Sequence, residues 1–185
     1  MVAGVTVFDA HLGDYRWDTR PAFALGTRVA WTGRHFGLGL GMTRARTTQA
    51  SGIPGETTAP VVNLTGFDLD GRARLCTVWN TEVWSVARGG LMLIGYEPDV
   101  VTYASGIAGT PITVAYDGIR EWTLGGALSL RHALGAHLVA GLDGGVTGFA
   151  LDTAHRSGDE IVNERETFVN WDVRAELAWR FEIGR

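Results

Sequence analysis

The sequence predicts an all-β protein, one domain over residues 1–185, folded as an eight-stranded antiparallel up-and-down barrel that crosses a membrane. Three observations carry this. Apolar residues recur at every second position in run after run, and the connections between runs alternate between short and long. No apolar run nears the ~20 residues a spanning helix needs, so any crossing must be made by strands. The 26 glycines, 10% aromatics and only 5 prolines suit a chain of strands and tight turns.

The elements follow in order. VAGVTVF, from Val2, is a short strand, and the polar stretch DAHLGDYRWDTRP after it is a loop. AFALGTRVAWTG sets Phe23, Leu25, Thr27, Val29 and Trp31 against Ala24, Gly26, Arg28 and Ala30. After a very short turn, FGLGLGMTRAR opposes Phe36, Leu38, Leu40 and Met42 to Gly37, Gly39, Gly41 and Thr43. A glycine face suits a crowded barrel interior, where side chains from neighbouring strands need room. TTQASGIPGETTAP has loop composition.

VVNLTGFDLDGRARLCTVW then alternates Phe67, Leu69, Gly71, Ala73 and Leu75 with Asp68, Asp70, Arg72 and Arg74. The turn WNTE leads to VWSVARGGLMLIGY, where strict alternation places Arg88 among Trp84, Val86, Met92 and Ile94. A bulge at Gly89 and Gly90 is therefore expected, shifting the phase and turning Arg88 inward. A long loop from about Glu97 to Ile119 precedes REWTLGGALSLRH, with Trp122, Leu124, Leu128 and Leu130 opposite Glu121, Thr123, Ala127, Ser129 and Arg131. After the ALGA turn, HLVAGLDGGVTGFAL carries Leu138, Leu142 and Val146 opposite Asp143. The stretch DTAHRSGDEIVNER reads as a further long loop before the last strand.

That last strand, TFVNWDVRAELAWRF, shows the alternation best. Thr167, Val169, Trp171, Val173, Ala175, Leu177, Trp179 and Phe181 form one face, and Phe168, Asn170, Asp172, Arg174, Glu176, Ala178 and Arg180 the other. The short connections follow the second, fourth and sixth strands, and the long ones follow the first, third, fifth and seventh. Short periplasmic turns at one end and long extracellular loops at the other are how outer-membrane barrels are built.

Which face is inside follows from charge. The polar faces collect Arg28, Asp68, Asp70, Arg72, Arg74, Glu121, Arg131, Asp143, Asp172, Arg174, Glu176 and Arg180, six acids and six bases able to neutralise one another inside. The apolar set is too regular and too large to leave in water. A soluble lipocalin-like ligand-binding barrel, the alternative, needs the reverse arrangement. Phe23 and Trp31 are eight positions apart, as are Trp171 and Trp179. At ~3.3 Å per residue and a ~40° tilt this spans roughly 20 Å, the separation of two aromatic girdles to which Trp122 and Phe181 also belong.

The net charge of −4 and the lack of a basic run speak against nucleic acid as a partner. The start lacks a basic n-region and a long apolar h-region, which leaves a cytosolic protein or an exported chain whose leader has been removed. The single Cys76 cannot make an internal disulfide.

The chain resembles the small eight-stranded outer-membrane barrels, the OmpA-transmembrane and OmpX type. The resemblance covers nearly all of it, and its most specific part is the last strand ending AWRF, which looks like the C-terminal insertion signal of that class; here four more residues, Glu182 to Arg185, follow Phe181. It implies a monomer in the outer membrane of a Gram-negative-type bacterium, with membrane lipid and lipopolysaccharide as its surroundings. An interior just wide enough for side chains makes a plugged barrel, not a pore. It does not specify a function, because one barrel hosts adhesins, anchors and lipid-modifying enzymes.

The leading expectation is a structural or interaction role through the extracellular loops, with no cofactor, no metal site and an unnamed extracellular partner. The alternative is an enzyme. His155 and Ser157 match the His-x-Ser spacing of the lipid A 3-O-deacylases of the PagL type, with Glu166 as candidate carboxylate, a constellation suited to acyl transfer. Here Gly158 and Asp159 follow the serine where that family has Asn-Ala. Arg44 and Arg46, beyond the apolar part of their strand, read either as contacts to lipopolysaccharide phosphates or as an ordinary charged strand end. His11, His35, His132 and His137 read as polar punctuation of turns and loops.

Overall fold

The computed structural model describes residues 1–50, 59–103, 111–157 and 160–181, with backbone alone for 112, 153–157 and 160–163. Among the described residues the strands are β1 Val2–Val7, β2 Ala22–Thr32, β3 Phe36–Thr48, β4 Val61–Val78, β5 Thr81–Glu97, β6 Val100–Tyr103, β7 Ile112–Ala115, β8 Ile119–Ala133, β9 Leu138–Ser157 and β10 Glu160–Trp179. Eight close an antiparallel barrel in the order β1-β10-β9-β8-β5-β4-β3-β2, while β6 and β7 pair as a separate ribbon within the stretch read as a plain loop. The ring is sealed by β1 on β10, from Val2 opposite Glu176 to Val7 opposite Trp171. The Met1 ammonium donates to the Leu177 carbonyl at 2.9 Å, so both chain ends described here lie at one end, called lower below.

Short connections gather at that lower end. Gly33 to His35 join β2 to β3, with the Gly33 N–H donating to the Phe36 carbonyl at 2.8 Å. Trp79, with φ 54°, and Asn80 join β4 to β5. The glycine face of β3 has a steric cause. A Cβ on Gly39 would lie 2.8 Å from an Asp70 carboxylate oxygen, and one on Gly41 would lie 2.6 Å from Asp68 Oδ2. β3 gives up side chains so that β4 can place carboxylates.

Three expectations about the elements need correction. First, β5 has no bulge at Gly89 and Gly90, whose register runs unbroken opposite Leu69 and Asp68. Strict phase already turns Arg88 inward, because Trp84, Val86, Met92 and Ile94 are inward and buried with it. The register shift lies instead on β4 between Arg74 and Cys76, leaving Leu75 and Cys76 exposed.

Second, the first loop is not merely polar. Asp9 caps a 3₁₀ turn over Ala10–Tyr15, and Arg16 closes it with φ 65°. This turn presses Leu12, with Phe8 and Trp17, onto Val62, Leu64, Met92, Ile94, Phe149, Leu151 and Phe168 in the upper end of the barrel. Burial of these apolar groups is worth about 1.5–3 kcal/mol per large side chain, enough to hold the loop down.

Third, the stretch read as a long loop after the seventh strand is strand. β9 and β10 stay paired as far as Ser157 opposite Glu160. β8 stops pairing at Phe149 and β1 at Trp171, so the β9–β10 hairpin projects above the ring.

Candidate functional site

The interior is built from inward positions of every barrel strand. Arg28 of β2 lies at its centre: Nε is 3.1 Å from Asp70 Oδ2, and Nη1 is 3.1 Å from Asp143 Oδ2 and 3.5 Å from Glu176 Oε2. Each carboxylate holds a second arginine. Arg72 reaches Asp70 at 2.5 Å, Arg88 reaches Asp143 at 2.7 Å and Arg131 reaches Glu176 at 2.9 Å. Beside this group, Asp172 accepts from Arg174 at 3.0 Å, from Thr6 at 2.9 Å and from Thr147 at 3.0 Å. A planar guanidinium with five donors can serve three carboxylates at once, which an ammonium on a flexible stem could not do with the same geometry.

Other predicted interior residues lie elsewhere. Arg74 is at the lower rim, 3.1 Å from Glu82 and stacked over Trp84, whose indole N–H donates to Glu82 at 3.0 Å. Glu121 is buried near the upper end and takes Arg165 at 2.6 Å, an arginine that also holds Asp152 at 2.9 Å. Asp68 faces inward with Oδ2 enclosed and without a hydrogen bond. Arg180 does not belong to the set: it follows the end of β10, is exposed, and its backbone N–H donates to the His137 carbonyl at 2.7 Å. Alternation continued in the letters after the strand had ended.

Arg88 was the interior arginine that periodicity obscured, because its face of β5 is otherwise apolar. Thr6 and Thr147 were also missed, since a lone threonine on an inner face carries no signal until its carboxylate partner is known. Between the ion pairs and the apolar cap lies a cavity of about 70 Å³ bordered by Asp68, Arg88, Asp172 and Arg174. That is room for a few waters, not for an organic ligand of lipocalin size.

The outer face is the converse. Phe23, Trp31, Trp122, Trp171, Trp179 and Phe181 all point outward and are more than 60% exposed. Phe23, Trp122 and Trp171 stand toward the upper end, and Trp31, Trp179 and Phe181 toward the lower, where exposed Phe36 and Trp79 join them. Between the two levels Val29, Leu38, Leu40, Leu69, Leu124, Leu128, Val173 and Leu177 are exposed as well. A contiguous apolar belt of this size is far beyond what water-soluble monomers carry.

For the His-x-Ser motif only the backbone is described, and the side chains of His155 and Ser157 lie outside the described residues. His155 is opposite Val162 and Ser157 opposite Glu160, near the tip of the projecting hairpin. Glu166 is opposite Leu151, four residues along from the His155 row, or roughly 13 Å at ~3.3 Å per residue. It accepts a hydrogen bond from the Tyr15 hydroxyl of the first loop. Glu166 is the carboxylate expected to orient His155, whose side chain lies outside the described residues.

Arg44 and Arg46 point outward at the upper end of β3, exposed. Of the histidines, His11 pairs with Asp9 at 2.9 Å, His132 shares a 3.0 Å hydrogen bond with Thr81, and His137 stacks on Trp179. Among the described residues no cluster of histidine, cysteine and carboxylates could hold a metal ion.

No family model and no curated protein matches the chain. Among solved structures it is similar to the crystal structure of Neisserial surface protein A (NspA), with a TM-score of 0.61 over 97% of this chain and 94% of that one at 12% identity. The fold is that of the small eight-stranded outer-membrane barrels.

Proposed function

We propose that this chain is an integral outer-membrane protein of a Gram-negative-type cell, a monomeric barrel without a pore or cofactor, acting through its extracellular loops. The observation that carries the reading is the reversal of polarity across one wall: tryptophans and leucines face out while Arg28, Asp70 and Asp143 are enclosed. Lipid is the solvent in which that reversal is stable. The likeness to a neisserial protein named as a surface protein supports the same location.

The absence of a pore is supported by side chains filling the lumen: ion pairs at mid-height, the Leu12 cluster above and Trp84 below. The working surface is then what stands above the upper aromatics, chiefly the first loop, the β6–β7 ribbon and the β9–β10 hairpin. An enzymatic reading gains no support from position. His155 lies nine residues past Val146, the partner of Trp171, hence ~20 Å above the upper girdle at ~3.3 Å per residue and ~40° tilt. An acyl ester in the membrane is presented well below that height.

The test is expression with fractionation and conductance. The protein is expected in the outer-membrane fraction, to need detergent for extraction, to migrate differently on gels before and after boiling, and to give no ion conductance in planar bilayers. A soluble monomer without detergent would overturn the membrane reading, and steady conductance would overturn the closed lumen. Lipid A from cells with and without Ser157→Ala is expected to carry identical acyl chains; a serine-dependent loss of one chain would restore the deacylase.

A further inference from the structure

The outer face is not uniform. Across five neighbouring strands Thr27, Met42, Phe67, Leu91 and Trp122 stand in one row, each opposite the next. Around this row the wall sinks into an apolar hollow of about 810 Å³. Its floor is β5 at Gly89 and Gly90, where the outer face of that strand carries no side chain between Ala87 and Leu91. Phe67 and Leu69 on one side and Trp122 on the other stand above that floor. On the opposite side of the barrel β10 presents the large exposed side chains Val169, Trp171, Val173, Leu177 and Trp179.

Directly above the hollow, on the strand that contributes Met42 to it, are Arg44 and Arg46. Two positions apart on one face, their Cα atoms are separated by ~6.6 Å at ~3.3 Å per residue. Both are exposed, and among the described residues neither has an ion-pair or hydrogen-bond partner, unlike the inward arginines. Arg120, exposed on β8 beside Trp122, flanks the same hollow from the other side. Unpaired outward arginines immediately above an apolar depression form a two-part surface: charge at the level of headgroups, space at the level of acyl chains.

We propose that this surface holds a lipopolysaccharide molecule, with Arg44 and Arg46 on its phosphate groups and its acyl chains in the hollow over Gly89. The occupant follows from three features. Cations at the margin call for an anionic headgroup, a depression five strands wide accommodates several chains better than one, and the arginines are at the long-loop end, which faces the outer leaflet if the chain lies in the membrane as proposed above. The site rests on that membrane reading.

The test uses the full chain folded in detergent micelles and titrated with three probes: lipopolysaccharide, the same material with its phosphates removed, and a zwitterionic phospholipid. Wild type is expected to prefer the first. The Arg44→Ser/Arg46→Ser double variant, altered only at exposed positions, is expected to bind it roughly tenfold more weakly and to lose the distinction between the first two probes. Gly89→Leu should weaken binding of both glycolipid probes by filling the hollow; a Cβ there meets only the Thr123 carbonyl oxygen at 3.9 Å, so the wall accepts it. Ala175→Leu on β10 is the control and should change nothing. Equal binding of all three probes by wild type, or by wild type and the double variant, would overturn the site. Insertion into vesicles, scored first by the gel shift on boiling, separates the two failures: a barrel that inserts without preferring lipopolysaccharide refutes only this inference, and one that never inserts refutes both.

Discussion

β5 and β10 belong to one barrel and share one period, yet their inner faces are opposite in character. Inside, β10 presents Asn170, Asp172, Arg174 and Glu176, whereas β5 presents Trp84, Val86, Met92 and Ile94 around the single Arg88. Outside, β10 is large and apolar along its length, while β5 is small at Ser85, Ala87 and Gly89 and large only above them, at Leu91 and Leu93. An eight-stranded interior is a packed volume, not a polar tube, and what each strand contributes depends on height and on the strand across the lumen. At mid-height Arg88 meets Asp143 from β9; above it Met92 and Ile94 join the apolar cap, and below it Trp84 lies under the Arg74 guanidinium. A period of two therefore identifies a strand, while the side facing lipid must be read from the whole ring.

The sharpest way to break this arrangement is at Arg28, the cation that three carboxylates share. Arg28→Met should destabilise the barrel by about 3–5 kcal/mol, because removing one member of a buried ionic group leaves the others uncompensated. Urea unfolding in lipid vesicles measures it. A change under about 1 kcal/mol would mean that water already screens the interior.

On β5 the corresponding test is Trp84→Ala. Trp84 is fully buried at the lower end, so its loss should cost about 3 kcal/mol through the cavity it leaves. Were β5 oriented as its apolar letters first suggest, toward lipid, the same change would cost far less. That strand shows where sequence reading stops. β10 was legible because its charged residues all share one face. β5 misled because its inner face is apolar, so Arg88 looked like an intruder needing a bulge. The first loop misled for a similar reason: Phe8, Leu12 and Trp17 are spaced irregularly among polar letters, and only the 3₁₀ turn brings them together. The extension of β9 and β10 was unreadable for want of contrast, since above the lipid both faces of a hairpin can be polar. The inner row of Arg28, Asp70, Asp143, Arg174 and Glu176 was visible from alternation alone; which carboxylate meets which arginine depends on register, which no single strand encodes.

A smaller effect is expected on the outer faces. Val173→Arg places a charge at mid-height on β10, where lipid should make it cost about 2 kcal/mol, against nearly nothing at a water-exposed site. Placed as Ala87→Arg on β5, the same charge enters the margin of the hollow and should cost a similar amount. Refolding yields of both variants in vesicles, compared with a variant carrying arginine at exposed Ala10 of the first loop, test whether both faces see lipid.

The smallest expected effect lies at the junction of the first loop with β10, where the apolar cap is tied to the charged strand. Asp9 accepts from the Val169 N–H at 2.8 Å and the His11 N–H at 3.0 Å, while its own N–H donates to Asn170 Oδ1 at 3.0 Å. Partial burial pushes its carboxyl pKa up, but the two backbone donors and the His11 ring outweigh that, and the net shift is down from 3.8. The sign then follows from linkage. A carboxyl with a folded pKa below its unfolded value contributes stability that is fully present above the unfolded pKa and is lost as pH falls through the folded one. The clamp should therefore be intact at neutral pH and weaken only below about pH 4. Asp9→Asn, which keeps an acceptor but removes the charge, should cost about 1 kcal/mol at pH 7. It should also flatten the acid limb of loop protection measured by hydrogen exchange at the Val169 amide. If wild type and Asp9→Asn lost protection in parallel as pH fell, the acid sensitivity of the cap would belong to a group other than Asp9.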